Sequence, residues 1–144
     1  MKLFSSGLLV IAMGLLGTGC NNLDLTGPGS AERVVEGAVV IYPADVTLPP
    51  GTEVTVRVLD MTRGEGRGEV LGEETITNPA SAPIPFHIEY RAEDEVLRRR
   101  VTIDARVSTG RTLRYYTASA HPITPGNVND KHMVEVVPAD HNNR

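Results

Sequence analysis

The sequence predicts an all-β fold, namely a two-sheet β-sandwich of about seven short strands, of the immunoglobulin-like or transthyretin-like kind. Three observations support this prediction. Segments rich in Val and Ile recur along the 144 residues, and apolar and polar side chains alternate within them. Loops rich in Pro and Gly separate these segments. The helical signal is confined to residues 92–97, which is at most one or two turns.

Seven segments carry the strand signal. The most regular are residues 53–60 and 101–108, in which Val, Ile or Ala alternates with other side chains. Residues 84–90 alternate in the same way, and Pro85 within them marks an edge strand or a bulge because proline donates no hydrogen bond to a neighbouring strand. The other segments are residues 34–42, 70–77, 112–118 and 133–137. Without Trp and with one Cys, this pattern excludes an antibody-type domain.

The first twenty residues resemble a bacterial lipoprotein signal. Lys2 precedes an apolar, uncharged stretch that is too short to span a membrane comfortably, and the stretch ends in Leu16-Gly17-Thr18-Gly19-Cys20. This ending resembles a lipobox, in which the signal is cut before the cysteine and the thiol receives fatty acyl chains such as palmitate. The resemblance implies a cleaved signal peptide over residues 1–19 and lipidation of Cys20. An ordinary secretory signal with an incidental thiol is the alternative.

Three segments follow the signal peptide. Residues 20–33 contain Gly and Pro without an apolar period, and we predict that they form a lipidated, flexible tether. Residues 34–138 are predicted to form the β-sandwich domain, and residues 139–144 a frayed tail. Asn21 stands where Asp would retain an enterobacterial lipoprotein in the inner membrane, so the resemblance implies the periplasmic leaflet of the outer membrane.

Charge and residue types exclude several classes of function. The net charge of -4 disfavours nucleic-acid binding, and the single Cys allows neither an intramolecular disulfide nor a cysteine-based metal cage. The histidines lack metal-binding spacings; they are His87, His121, His132 and His141. No serine stands in a nucleophile elbow, and the Gly-rich residues 64–68 carry Glu65 rather than a phosphate-binding pattern. We therefore predict no catalytic residue, no metal and no cofactor.

One charge cluster and one aromatic pair are candidates for partner binding. Arg98, Arg99 and Arg100 directly follow a short helical segment that begins with acidic residues. One interpretation of this triplet is a solvated loop, and the other is a contact for lipid phosphate or for an acidic partner segment. Tyr115 and Tyr116 are neighbours in an alternating strand, so one of them must be exposed. Tyr and Arg are the side chains that interfaces favour.

The order of these segments resembles the YbaY-type lipoproteins, a family that includes the YscW-type lipoprotein chaperones, or pilotins, of type III secretion. The segments that carry the resemblance are Val35-Glu36-Gly37-Ala38-Val39, Leu48-Pro49-Pro50-Gly51-Thr52-Glu53-Val54-Thr55-Val56, Leu59-Asp60, Pro83-Ile84-Pro85-Phe86, Asp104-Ala105-Arg106-Val107, Gly110-Arg111-Thr112-Leu113 and His121-Pro122-Ile123-Thr124. They cover most of residues 34–137, behind the lipobox. The resemblance implies a lipid anchor and a small β-sandwich, and it supplies no catalytic residue.

The sequence and this resemblance together predict a non-enzymatic, lipid-anchored protein that binds an envelope protein. It acts either as a chaperone or pilotin or in general envelope maintenance, through strand addition or a groove between the sheets. A lipoprotein that binds a small ligand or a glycan is the alternative, and a hydrolytic enzyme is the least favoured reading. A deep pocket with converging polar groups would indicate a ligand, whereas a hydrophobic cleft would indicate a peptide.

Overall fold

The computed structural model describes residues 30–139, apart from positions 45, 64, 65 and 67. Eight strands and one short helix follow one another within this range. They are β1 Ser30–Ile41, β2 Thr52–Asp60, β3 Glu69–Thr77, β4 Ile84–Glu93, α1 Asp94–Leu97, β5 Val101–Thr109, β6 Thr112–Tyr116, β7 His121–Pro122 and β8 Lys131–Pro138. Each of the seven predicted segments contains a strand, and β7 is a two-residue addition. The all-β prediction is confirmed.

The strands form one continuous sheet and not the predicted two-sheet sandwich. Their order is β3-β2-β5-β6-β8-β1-β4, and β7 pairs separately with β5. The two halves are joined where Tyr115 and Tyr116 on β6 pair with Pro138 and Val137 on β8. Because β8 also runs parallel to β1, it connects both halves, and the sheet curls into a nearly closed, barrel-like form. The sequence pattern reports only which side chains face inward, so it does not distinguish this arrangement from a sandwich.

The concave face of the sheet holds the hydrophobic core. Inward and outward residues alternate along β2, β4 and β5. The buried side chains on these strands are Val54, Val56, Val58, Ile84, Phe86, Ile88, Tyr90, Ala92, Val101, Ile103, Ala105 and Val107. The inward faces that the sequence predicts for residues 84–90 and 101–108 are therefore confirmed. Most of these side chains are β-branched, which suits the pleated surface of a strand.

The two end strands, β3 and β4, meet without a backbone ladder between them in the described residues. A carboxylate oxygen of Glu74 accepts a hydrogen bond of 2.7 Å from the amide of His87. Gly72 lies so close to β4 that a Cβ added there would be 2.8 Å from the carbonyl oxygen of Glu89. The predicted edge strand is confirmed, since Pro85 lies on β4 at the end of the sheet. Side chains and close packing thus close this seam.

Strand β1 begins earlier than predicted. It pairs with β4 from Ser30 onward, so residues 30–33 belong to the sheet and not to the tether. The signal peptide, Cys20, the rest of the tether and the end of the tail lie outside the described residues and stay predictions. In the range that the structure describes, no helix has the length and apolarity needed to cross a membrane.

Candidate functional site

The sheet is interrupted beside strand β5. Strand β6 pairs with β5 as far as Tyr116, and β7 resumes the pairing at His121. The intervening residues 117–120, Thr-Ala-Ser-Ala, belong to neither strand. Thr117 closes the end of β6, because its hydroxyl accepts a hydrogen bond from the amide of Ala105 at 2.7 Å and donates one to the carbonyl of Ala105 at 3.1 Å. We call residues 117–120 the bypass segment.

A groove of about 400 Å³ lies along the outer face of β5 next to the bypass segment. We call it the β5 groove and define it by Leu59, Met61, Arg99, Arg100, the bypass segment and Pro122. The small side chains of the bypass segment leave space over the outer face of β5, where a bulkier strand would fill it. The groove therefore exists because pairing with β5 is interrupted between the end of β6 and the start of β7.

Backbone contacts fix the apolar floor of this groove. Leu59 on β2 pairs with Thr102 on β5, and the amide of Met61 donates a hydrogen bond of 2.7 Å to the carbonyl of Arg100. Gly68 makes room for the thioether, since a Cβ added at Gly68 would lie 2.5 Å from Met61 Sδ. Leu59 is thus held by strand pairing, and Met61 by a backbone hydrogen bond directly after the end of β2.

Two of the three predicted arginines border the groove. Arg99 and Arg100 line it, whereas Arg98 forms the C-cap of α1. All three are exposed, and none of them takes part in an ion pair with another described residue. Asp104, the acidic residue of the groove, is paired with Arg106 at 3.2 Å. The guanidinium groups of Arg99 and Arg100 are therefore available to carboxylates of a partner.

A second acidic residue lies close to the arginines. The hydroxyl of Thr62 donates a hydrogen bond to Asp60, and with the Thr62 amide and the charges of Arg99 and Arg63 it holds the pKa of Asp60 below its usual value. Asp60 therefore stays ionised and orders the turn after β2. Its negative charge moderates the positive charge of Arg99.

The hydroxyl of Thr102 inside the groove already has two partners. The Thr102 hydroxyl donates to the carbonyl of His121 at 3.1 Å and accepts from the amide of the same residue at 3.1 Å. These bonds hold β7 against β5. What the groove offers to a ligand is consequently an apolar floor and a pair of cationic side chains, with few free polar groups.

The predicted tyrosines lie apart from the groove. Tyr116 is 39% exposed, while Tyr115 packs against the core, so the predicted exposure of one of them is confirmed. Tyr116 pairs with Arg106 on β5. The six residue steps from Arg100, just before β5, to Arg106 extend roughly 20 Å. The structure therefore does not bring the tyrosine pair and the arginine triplet into one site.

Sequence reasoning missed the groove floor and the bypass segment. Residues 112–118 were predicted as one strand, yet β6 ends at Tyr116. The signal was present in the three small residues 118–120 that follow Thr117, since residues without a β-branched or aromatic side chain favour strands weakly. Leu59 and Met61 were unremarkable as isolated apolar residues, because only the fold brings them beside the arginines.

The structure brings together two histidines that are separated in the sequence. His121 Nε2 and His132 Nδ1 are 3.0 Å apart. The described residues contain no cluster of three or more His, Cys, Asp or Glu side chains with the geometry of a metal site. The two imidazoles form a hydrogen-bonded pair.

Comparisons with known proteins agree with the architecture. A family model described as "Type III secretion system lipoprotein chaperone (YscW)" matches residues 30–136, which is more than half of the chain. The resemblance to the YscW-type chaperones is thereby confirmed, and the YbaY name stays a prediction. The family is one of chaperones and not a class of enzymes. A search of curated proteins finds no match.

A solved structure has a similar fold. It is an alternative pilotin from the type II secretion system of Vibrio cholerae, with a TM-score of 0.64 and 19% sequence identity. The match covers 76% of this chain and 98% of that one. At this identity the likeness concerns the fold alone.

Proposed function

We propose, on the premise that this chain belongs to the YscW family of type III secretion system lipoprotein chaperones, that it is a lipid-anchored chaperone of the bacterial envelope. It is attached through Cys20 to the periplasmic leaflet of the outer membrane and holds a segment of an envelope protein in the β5 groove. The partner is a component of a secretion system or, where none is present, another envelope protein that the chain helps to maintain. The observation that carries this proposal is an apolar groove bordered by arginines that form no ion pair with another described residue, in a chain of a chaperone family.

The groove lining defines the chemistry of the bound segment. Leu59 and Met61 favour apolar side chains, while Arg99 and Arg100 favour carboxylates, with which guanidinium groups form strong hydrogen bonds. The segment is therefore both apolar and acidic. A peptide fits better than a glycan, because the Thr102 hydroxyl is already occupied by β7 and few polar groups converge on the groove.

The position of the groove suits capture near the membrane. Ser30, the first described residue, pairs with Glu93 at the end of β4, and α1 and the arginine triplet follow directly. The chain thus leaves the sheet toward Cys20 at the end that carries Arg99 and Arg100. Residues 20–29, as a flexible tether, have a mean span of roughly 17 Å. Cys20 acylation would hold Ser30, at the end of the sheet that carries the groove arginines, at about that mean distance from the lipid headgroups.

A position-specific crosslinking experiment tests this function. A photoreactive amino acid replaces Ala118, inside the groove, in the lipidated full-length protein expressed in its own host. The matched control carries the same amino acid at Thr75, which is exposed on β3. We expect one envelope protein to crosslink from position 118 and not from position 75. The yield should fall when Arg99 and Arg100 are both replaced by Ser.

Two outcomes would contradict the proposal. Equal crosslinking from positions 118 and 75 would show that contact is nonspecific. Unchanged crosslinking in the Arg99→Ser/Arg100→Ser variant would exclude the arginines from recognition. The anchor is tested separately with Cys20→Ser, which should move the protein from the membrane to the soluble fraction. Retention on membranes after a high-salt wash would show a different mode of attachment.

A further inference from the structure

We propose that protonation of the His121–His132 pair loosens the wall of the β5 groove, so that the groove is closed around its ligand at neutral pH and opens in acid. The consequence for binding rests on the function proposed above. The structural change itself does not, because it can be measured on the protein without a partner. The inference starts from the hydrogen bonds of the two imidazole rings.

These hydrogen bonds define where the protons are. His132 Nε2 lies 3.1 Å from the carbonyl oxygen of Asn127. A carbonyl oxygen only accepts hydrogen bonds, so His132 Nε2 must carry a hydrogen, and in the neutral ring His132 Nδ1 is then the bare acceptor. His121 Nε2, at 3.0 Å from that Nδ1, is then the donor. With both imidazoles neutral, each ring therefore carries its hydrogen on Nε2.

The pair belongs to a ring of contacts that supports the groove. Asn127 donates from Nδ2 to the carbonyl of Pro122 at 3.0 Å and accepts at Oδ1 from the amide of Thr124 at 2.7 Å. Pro122 lines the groove and directly follows His121 in β7. The ring therefore runs from His121 through His132 and Asn127 back to Pro122. Breaking it at the imidazoles frees the loop that holds the groove wall.

Two protons are incompatible with this ring. A first proton on His121 Nδ1 leaves the donor at His121 Nε2 in place. A second proton must go to His132 Nδ1, and two N–H groups would then point at each other across 3.0 Å. His132 is 4% exposed, so water compensates little for the added charge. The doubly protonated pair must separate, and β7 with the following loop moves with it.

None of the described carboxylates near the pair forms an ion pair with either imidazole. The charged side chains on the elements packed around the pair are Asp104 and Arg106 on β5, Asp130 in the loop, Lys131 and Glu135 on β8, and Glu36 on β1. Asp104 is paired with Arg106, and Glu36 with His87. Among the described residues, no ion pair includes His121 or His132. Only Glu135 lines the same small depression as His121.

The direction of the pH effect follows from the pKa of His121. Burial, and then the neighbouring His132, lowers this pKa below the ordinary value of 6.5. The opened form binds the proton more tightly than the closed form, because its imidazole is solvated. The stabilisation of the closed form is therefore complete above about pH 6.5 and is lost as the pH falls below that value. Acid favours the open groove.

Amide hydrogen exchange on the lipidated full chain in detergent micelles tests the proposal. Protection factors are compared at about pH 7.5 and about pH 5.5. Residues 117–132 should lose about tenfold in protection in acid, while residues 52–60 keep theirs. In His121→Gln the amide nitrogen still donates to His132 but does not titrate, so the acid loss should disappear. His87→Gln, which removes an exposed histidine, should behave like the wild type.

The outcomes discriminate between alternatives. Equal protection of residues 117–132 at both pH values in the wild type, or the same acid loss in His121→Gln, would overturn the proposal. If His121→Gln is unprotected at both pH values, NMR titration of the wild-type imidazoles decides. Titration of both rings at the ordinary pKa would refute the switch, and a depressed pKa for His121 would support it. The crosslinking yield from position 118 at the two pH values then tests the effect on binding separately.

Discussion

The two sides of strand β5 differ in continuity. On one side β2 pairs with β5 at nine consecutive positions without a register shift. On the other side β6 covers residues 106–109, with a shift after Val107, and β7 covers residues 102–103. The continuous side has a core of fully buried valines beneath it. The interrupted side carries the bypass segment and the β5 groove.

We expect the continuous side to stabilise the fold and the interrupted side to bind the partner. A continuous ladder satisfies backbone groups by itself and tolerates many outward side chains. At the interruption, side chains replace the ladder: the hydroxyl of Thr117 bonds the backbone of Ala105, and the hydroxyl of Thr102 bonds the backbone of His121. Such local substitutes are weaker than a ladder and leave an accessible surface. We therefore expect changes in the continuous regions to affect folding and changes at the interruption to affect binding.

The largest effect on folding is expected at Gly37, inside the continuous pairing of β1 with β8. A Cβ there would lie 1.9 Å from the carbonyl oxygen of His132 and 2.8 Å from Phe86 Cζ. Gly37→Ala must push the two strands apart, so it should cost about 4 kcal/mol of unfolding free energy. Gly126→Ala is the control, because its Cβ would be 3.7 Å from Thr124 Oγ1. Urea unfolding monitored by circular dichroism measures both, and a similar midpoint for the two variants would contradict the expectation.

A smaller loss is expected from the core of the continuous side. Val56 is fully buried on β2, and Val56→Ala removes two methyl groups and leaves a cavity. The expected cost is about 2 kcal/mol. Val70→Ala provides the control, since Val70 is 50% exposed on β3 and should change the unfolding free energy by less than about 0.5 kcal/mol. Equal losses would mean that β3 packs more tightly than its exposure indicates.

The same contrast explains which parts of the fold the sequence predicts. Period-two alternation is a local property, and it locates β2, β4 and β5 together with their inward faces. The closure of the sheet is not local, because it depends on two residue pairs between β6 and β8 and on one hydrogen bond from the His87 amide to Glu74 across the seam. Neither of these contacts produces a periodic pattern in the sequence. The sandwich prediction was wrong for this reason.

The candidate site was predicted in part for a related reason. A run of three arginines is visible in any sequence, and two of them border the groove. The apolar floor consists of Leu59 and Met61, which are far from the arginines along the chain and meet them only because β2 pairs with β5. The tyrosines were joined to the arginines by residue type alone; neither tyrosine lines the groove, and most of the length of β5 separates them from the arginines.

The hydrogen bonds that end β6 are expected to have an intermediate effect. Thr117→Val keeps the shape of the side chain but leaves the amide of Ala105 without its partner. An unpaired, partly buried amide costs about 1–2 kcal/mol. Thr124→Val should cost far less, because Thr124 is exposed. Thermal unfolding measures the two free energies, and hydrogen exchange at Ala105 shows whether the loss is local. Unaltered exchange at Ala105 would assign the effect to another contact.

The smallest effect on folding and a large effect on binding are expected together at the groove arginines. Arg99 and Arg100 are exposed and make no ion pair with another described residue, so Arg99→Ser/Arg100→Ser should change the unfolding free energy by less than about 1 kcal/mol. Exposed charges act on the association rate through long-range attraction. Crosslinking from position 118 should therefore fall about tenfold at low salt, and the difference should shrink as salt screens the charges.

The controls for this last change use the same residue type elsewhere on the protein. Arg111→Ser/Arg114→Ser removes two exposed arginines from the hairpin of β5 and β6, at the opposite end of β5 from the groove arginines. It alters the net charge equally and should leave the crosslinking yield within about twofold of wild type. Arg98→Ser should have a similarly small effect, since Arg98 does not line the groove. If all three variants lost the same yield, net charge rather than the groove would attract the partner, and the interrupted side of β5 would lose its assignment as the binding surface.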